Sequence, residues 1–181
     1  TTVDELDVLR CDEGMKALLE EIPAPNTAGD FLRKYENRDI YETGVAGLET
    51  AVKVIRQKKL KRITLDVDAF TIESKKSIAT MNYEGEIGFT PVMVTCAELK
   101  MPLVGLWRDG SASPMAHLSW LLERVMKALP DVVLTVRSDS AGYQSKVVKV
   151  CEARGARFTI TARKDDAVME TIQSIPKKAC G

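Results

Sequence analysis

The spacing of apolar residues changes character near residue 60. Before it, apolar positions recur every three or four residues, the period of a helix with one buried face. The stretch CDEGMKALLEEI sets Met15, Leu18, Leu19 and Ile22 on one face behind Asp12 as N-cap, and Pro23 stops it. PNTAGDFLRKY offers Asn26 or Thr27 as the next cap, followed by Phe31, Leu32 and Tyr35. A third helix, over 39–58, aligns Val45, Leu48, Val52 and Ile55 and runs into the basic segment RQKKLKR. Beyond it the pattern is that of strands: RITLDVDAF, IGFTPVMVTCAEL and PLVGLWRDG, the last two joined by a short KM that suits a hairpin. Pro91 and Pro102 point to strand ends or edges. SPMAHLSWLLERVMKALP reads as a helix capped by Ser113, with Pro114 in its first turn and a stripe of Leu118, Leu121, Leu122, Val125 and Leu129. DVVLTVRSDS is apolar enough for a central strand, GYQSKVVKVCEARG is a helix closed by Gly155, ARFTITAR is a strand, and DDAVMETIQSI is a last helix.

This order predicts a helical region over 1–60 and an α/β core over 61–181. Three strands in an antiparallel meander, then alternating helices and strands, imply a mixed sheet with helices against it and right-handed crossovers. The bulk numbers fit one sizeable core, with 45% hydrophobic and 29% charged residues in 181. Lys plus Arg and Asp plus Glu number 26 each, so no overall basic field attracts a polyanion and any such contact must be local. No apolar run reaches the roughly 18 residues of a membrane span. Cys11, Cys96, Cys151 and Cys180 form no CxxC pair and have His117 as the lone histidine, which gives no zinc pattern. A soluble, cytoplasmic protein with no membrane partner is expected.

Against this frame, two aspartates on one strand stand out. In an extended segment Asp66 and Asp68 share a face while Ile63, Leu65 and Val67 take the other. Side by side they repel, so a cation or water must stand before them. Asp139 closes the apolar run of the fourth strand. If that strand lies parallel beside the first, Asp139 emerges near Asp68. Carboxylates converging without histidine or thiolate make an oxygen-only site, which suits Mg²⁺ or Mn²⁺. Two such ions about 3.5–4 Å apart are the apparatus of phosphodiester chemistry. Asp139, followed by Ser140 and Gly142, serves equally well as a cap for the next helix. Arg137, on the same face, is placed to pair with a carboxylate or a phosphate, or to stand as a plain surface residue.

Several segments in order resemble the insertion-sequence transposases of the DDE class whose catalytic domain is RNase H-like. LDVDAF is similar to that group's LDxDAT, YEGEIGFTPVMV to YxGxxGYxP, WRDGSASP to RxGNAS, and VRSDSAGY to RxDSxF/Y. The resemblance implies metal-dependent DNA cleavage and strand transfer, with Asp68 and Asp139 as catalytic carboxylates, Asp66 as a neighbour in the metal site, two divalent ions in the complete enzyme, transposon-end and target DNA as partners, and a homodimer bridging two ends. Phe70 stands where the group has a small hydroxyl residue. The group's third acid, a glutamate in a Tyr-Arg-Glu-Lys type signature, is absent up to Gly181, and Glu170 in AVMETIQ does not match it. The expectation is a truncated chain, inactive alone.

DNA requires basic surface. The candidates are Lys58, Lys59, Lys61 and Arg62 in RQKKLKR, Lys75 and Lys76 after the first strand, Arg137, and Arg163 with Lys164. Each also reads as a solvated face. Trp107 and Trp120 suit core packing, with base stacking as the alternative, and His117 suits a helix face. Two rival functions remain: a haloacid-dehalogenase-type phosphatase with Asp66 as nucleophile, Asp68 as acid and base and KDD at 164–166 on Mg²⁺, and a non-catalytic, DNA-binding transposase remnant.

Overall fold

The computed structural model describes residues 3–162 and 164–175, so Arg163 and Cys180 lie outside the described residues. The chain divides into two compact units, Thr1–Val45 and Ala46–Gly181.

In the first unit, α1 (Leu6–Cys11), α2 (Glu13–Leu18) and α3 (Pro25–Arg33) precede α4 (Asn37–Gln57), which continues into the second unit. The predicted cap of α2 is real: Asp12 Oδ1 accepts from the Met15 amide at 2.8 Å. The helix nevertheless ends at Leu18, short of the predicted Ile22, with Leu18 and Leu19 exposed. Glu20 and Glu21 would set negative charge on a C-terminal end that is already negative. The N-cap of α3 is Ala24, two residues before Asn26, the earlier of the expected caps, and Pro25 stands in the first turn, where a fixed φ and a missing N–H cost nothing.

In the second unit the chain runs β1 (Arg62–Ala69), β2 (Ile72–Glu73), β3 (Thr80–Met81), β4 (Ile87–Phe89), β5 (Val92–Cys96), β6 (Met101–Leu106), α5 (Leu118–Ala128), β7 (Val133–Ser138), α6 (Ser145–Arg154), β8 (Arg157–Ile160) and α7 (Asp166–Ser174). The main sheet has the order β6-β5-β1-β7-β8. β1 pairs antiparallel with β5 and β5 with β6, while β1 pairs parallel with β7 and β7 with β8. This is the predicted mixed sheet, with the meander at one side, the apolar β7 in the interior and Pro102 on the edge strand β6. It excludes the phosphatase reading, which requires parallel strands on the β5 side of β1.

Alternation on β1 is as read: Ile63, Leu65 and Val67 are buried, and Asp66 and Asp68 face the other way. The core around them takes Leu48, Val52 and Ile55 from α4, Val94 and Cys96 from β5, Leu121 and Val125 from α5, Val136 from β7 and Cys151 from α6.

Two expectations fail locally. IGFTPVMVTCAEL is not one strand: the chain breaks at Thr90 and Pro91, and β4 joins a separate sheet of order β2-β4-β3. A Cβ on Gly88 would run into the Ile72 carbonyl, so this small sheet closes only over glycine. The helix expected from Ser113 starts at Leu118 instead, with His117 as N-cap in the left-handed region at φ 66°. Arg108 explains the delay. Its Nη1 donates to the Ser113 carbonyl at 3.1 Å and the Ala116 carbonyl at 2.9 Å, so the 113–116 backbone is folded around a guanidinium.

Candidate active site at one end of the mixed sheet

The parallel pairing of β1 and β7 decides which groups meet. Asp66 stands opposite Arg137, and Val67 opposite Ser138 is the last paired position. One residue further, Asp68 and Asp139 leave the same end of two adjacent strands. Both are exposed.

The two aspartates of β1 differ sharply in their surroundings. Asp66 is clamped by a bidentate ion pair, Arg137 Nε donating to Oδ1 and Nη2 to Oδ2, each at 2.6 Å. A planar guanidinium matches a carboxylate in this geometry, and the hydrogen bond and charge of Asp66 raise the Arg137 pKa further. The cation that the sequence demanded in front of Asp66 is therefore Arg137. Asp68, two residues on, has no hydrogen-bond or ion-pair partner among the described residues. Asp139 has one local contact: Oδ1 accepts from the Ala141 amide at 3.0 Å and caps the 3₁₀ turn Ser140–Gly142. The cap reading of Asp139 thus holds, and its second oxygen has no bond among the described residues.

Tyr83, which sequence reasoning treated only as part of a motif, stands in the tight turn between β3 and β4. Its phenol pKa is raised, first by a hydrogen bond with Glu84 and the charge of Glu84, and in smaller part by the charge of Asp139. The turn is therefore near enough to Asp139 to sense it. Asn82 builds that turn, its Oδ1 accepting from the Glu84 and Glu86 amides at 2.9 Å each.

The basic candidates separate by position. Arg62 begins β1, so it lies six residues, roughly 20 Å, from Asp68 along the strand. Lys58, Lys59 and Lys61 form the turn that leads α4 into β1, and Lys59 and Lys61 line a cavity of about 420 Å³ there with Arg56 and Asp131. None of the four is at the aspartate end of the strand. Lys75 and Lys76 are exposed just after β2, and Lys164 is exposed ahead of α7. Trp107 and Trp120 are not core residues, being 60% and 45% exposed. Among the described residues, no group of three or more acids, histidines or cysteines is disposed to hold a metal ion. What the sheet end provides is two hard carboxylates, Asp68 and Asp139, a donor pair chemically suited to Mg²⁺ or Mn²⁺. Both oxygens of Asp66 are already engaged.

The site is thus a mixed sheet with an aspartate at the end of each of its two adjacent parallel strands, β1 and β7. The chain belongs to the family described as Transposase DDE domain, group 1, whose model matches residues 1–181. No curated protein matches the chain. Among solved structures, it is similar to a piggyBac transposase synaptic complex with hairpin DNA (10% identity, TM-score 0.44), over 63% of this chain and 26% of that one. It is also similar to the catalytic domain of Mos1 mariner transposase (10% identity, TM-score 0.38; 81% and 79% of the two chains) and to the Mos1 paired-end complex with Mn (11%, 0.37; 96% and 65%). The match thus spans about a quarter of the piggyBac chain. Among the described residues, no helix is long and apolar enough to cross a membrane.

Proposed function

We propose that this chain is the sheet-bearing part of a DNA transposase that cleaves and joins DNA strands with divalent metal, and that Asp68 and Asp139 are its first two catalytic carboxylates. The observation that carries this reading is the β1–β7 register, which ends one residue short of both aspartates on neighbouring parallel strands. Family membership supports it independently. Mg²⁺ or Mn²⁺ bound there would supply Lewis-acid activation of an attacking oxygen and charge neutralisation at a leaving one. Asp68, with no competing partner among the described residues, is the stronger ligand. Asp139 offers the oxygen not used in capping, and its bond from the Ala141 amide fixes its direction. Asp66 belongs to the site as the group that holds Arg137, whose guanidinium lies on the same strand face as the acids and is positioned for a DNA phosphate. Lys75 and Lys76 supply further phosphate contacts at this end. The run from Lys58 to Arg62, on the far end, meets only flanking DNA. A pair of such chains would bridge two transposon ends.

Loading the protein with Fe²⁺ and ascorbate tests the site directly, because radicals made at a bound ion cut the nearest backbone. Cuts should fall beside Asp68 and Asp139, fade with added Mg²⁺ and vanish in Asp68→Asn. Cuts elsewhere, or none, would overturn the assignment.

A further inference from the structure

Trp107 and Trp120 are left in water by a fold that had every chance to bury them. Trp107 follows the last residue of β6, and Trp120 lies in the first turn of α5, next to buried Leu121. The Trp107 ring meets Phe89 at 5.0 Å between centroids, and the Arg124 guanidinium sits 5.8 Å from the Trp120 ring centre. Between them opens a cavity of about 480 Å³, lined also by Arg108, Asp109 and His117. That volume falls within the roughly 300–1,000 Å³ typical of small-ligand sites.

The cavity is at the aspartate end of the sheet. Leu106, which contributes to its wall, pairs with Val92, and Val92 pairs with Ala69, the residue after Asp68. It is two strands from β1, roughly 10 Å across the sheet. Arg108 is only 5% exposed, yet no carboxylate neutralises it among the described residues. Its Nε donates to the Thr90 carbonyl at 2.7 Å and its Nη1 to backbone carbonyls of 113–116, while Nη2 is buried without an acceptor among the described residues. A buried donor left unpaired costs stability. Nearby, α5 starts without a side-chain cap, so its first-turn amides also lack a side-chain acceptor.

We propose that this cavity receives one unpaired nucleotide of the DNA substrate, its base stacked on Trp107 and Trp120 and an oxygen of the nucleotide accepting from Arg108. The proposal rests on the transposase reading for the identity of the polymer. An extrahelical nucleotide supplies what the cavity lacks, an aromatic plane for the indoles and an oxygen acceptor for the guanidinium. The carboxylate of Asp109 is available to a base amino group. A paired base in an intact duplex presents only its edges and cannot stack there.

Trp107 and Trp120 are the two tryptophans of the chain, so its indole fluorescence reports on this cavity alone. A single-stranded oligonucleotide should quench that emission saturably, whereas a blunt duplex of equal length should bind without comparable quenching. Trp120→Ala should weaken single-strand binding about fivefold or more and leave duplex binding within twofold. Trp107→Phe, which keeps a ring against Phe89, should retain most of the affinity lost in Trp107→Ala, with melting temperatures read alongside. Duplex binding with no single-strand quenching, or equal losses for both DNAs, would overturn the inference and leave the transposase reading standing. Failure to bind either DNA would sink both.

Discussion

At the start of β1 and β7 the sheet ends in a turn where Lys59, Lys61 and Arg56 surround buried Leu129 and Val132; at the other end, about 20 Å along, Asp68 and Asp139 face solvent. The first end is richer in basic residues, but its backbone is closed on itself. The Val133 amide donates to the Lys61 carbonyl at 2.9 Å and the Leu60 amide to the Ile55 carbonyl at 3.2 Å, so the segment serves to turn α4 into β1. The second end is where, among the described residues, polar capacity is left over: a carboxylate without a partner, a capping aspartate with an unused oxygen, an arginine nitrogen without an acceptor and two uncovered tryptophans. Unspent bonding capacity separates a working surface from a solvated one better than charge density does.

The largest expected effect concerns the core that both ends share. Leu65 is fully buried between them, and Leu65→Ala should cost about 2–5 kcal/mol in denaturant unfolding, whereas Leu18→Ala at an 80% exposed position should stay within about 0.5 kcal/mol. A small loss at Leu65 would mean that β1 is not the central strand. DNA affinity sharpens the contrast between the ends themselves. Reversing Lys75 and Lys76 to glutamate together should lower the salt dependence of DNA binding by roughly two counterions, and reversing Lys59 and Lys61 should change it by well under one. The opposite ranking would move the DNA path to the basic turn.

The smallest effect is a pH dependence near the closed end. Glu98 follows β5, and its carboxylate accepts from the Thr64 amide through both oxygens at 2.9 Å. Burial pulls its pKa upward, but the bonds from Thr64 and neighbouring groups outweigh it and hold the carboxyl below its ordinary 4.5. A depressed folded pKa stabilises above the unfolded value and loses that contribution as pH falls through the folded one. Glu98→Gln should therefore lower stability by about 1 kcal/mol or less at neutral pH, solvent screening at this exposed position keeping it small, and the difference from the parent should shrink as pH falls below 4.5 in pH-resolved melting.

The frame of this protein was legible because its periods are clean. Alternation on β1 and the apolar run of β7 identify both strands, and the antiparallel pairing of β5 with β6 follows from the short connection between them. The small sheet was hidden because β2 and β3 have two residues each, too few for any period to register. The start of α5 was hidden because a buried arginine, not a local cap, decides it. At the site, Asp68 and Asp139 were readable as types in a pattern, and Asp66 and Arg137 were readable as neighbours of interest. Their bond was not, since it joins residues 71 apart and exists only through the parallel register. Trp107 and Trp120 misled for a related reason: apolar character gives a preference for burial, and only the assembled surface reveals that it is unmet.

The central claim, that Asp68 and Asp139 share an ion while Asp66 holds Arg137, is tested most directly by Mn²⁺ bound to the protein, located by anomalous scattering and titrated in three variants. The account predicts a peak between the Asp68 and Asp139 carboxylates, Mn²⁺ affinity lowered at least about tenfold in Asp68→Asn and in Asp139→Asn, and a change under about threefold in Asp66→Asn. A peak on Asp66, or carboxylates of Asp68 and Asp139 too far apart to share one ion, would contradict it.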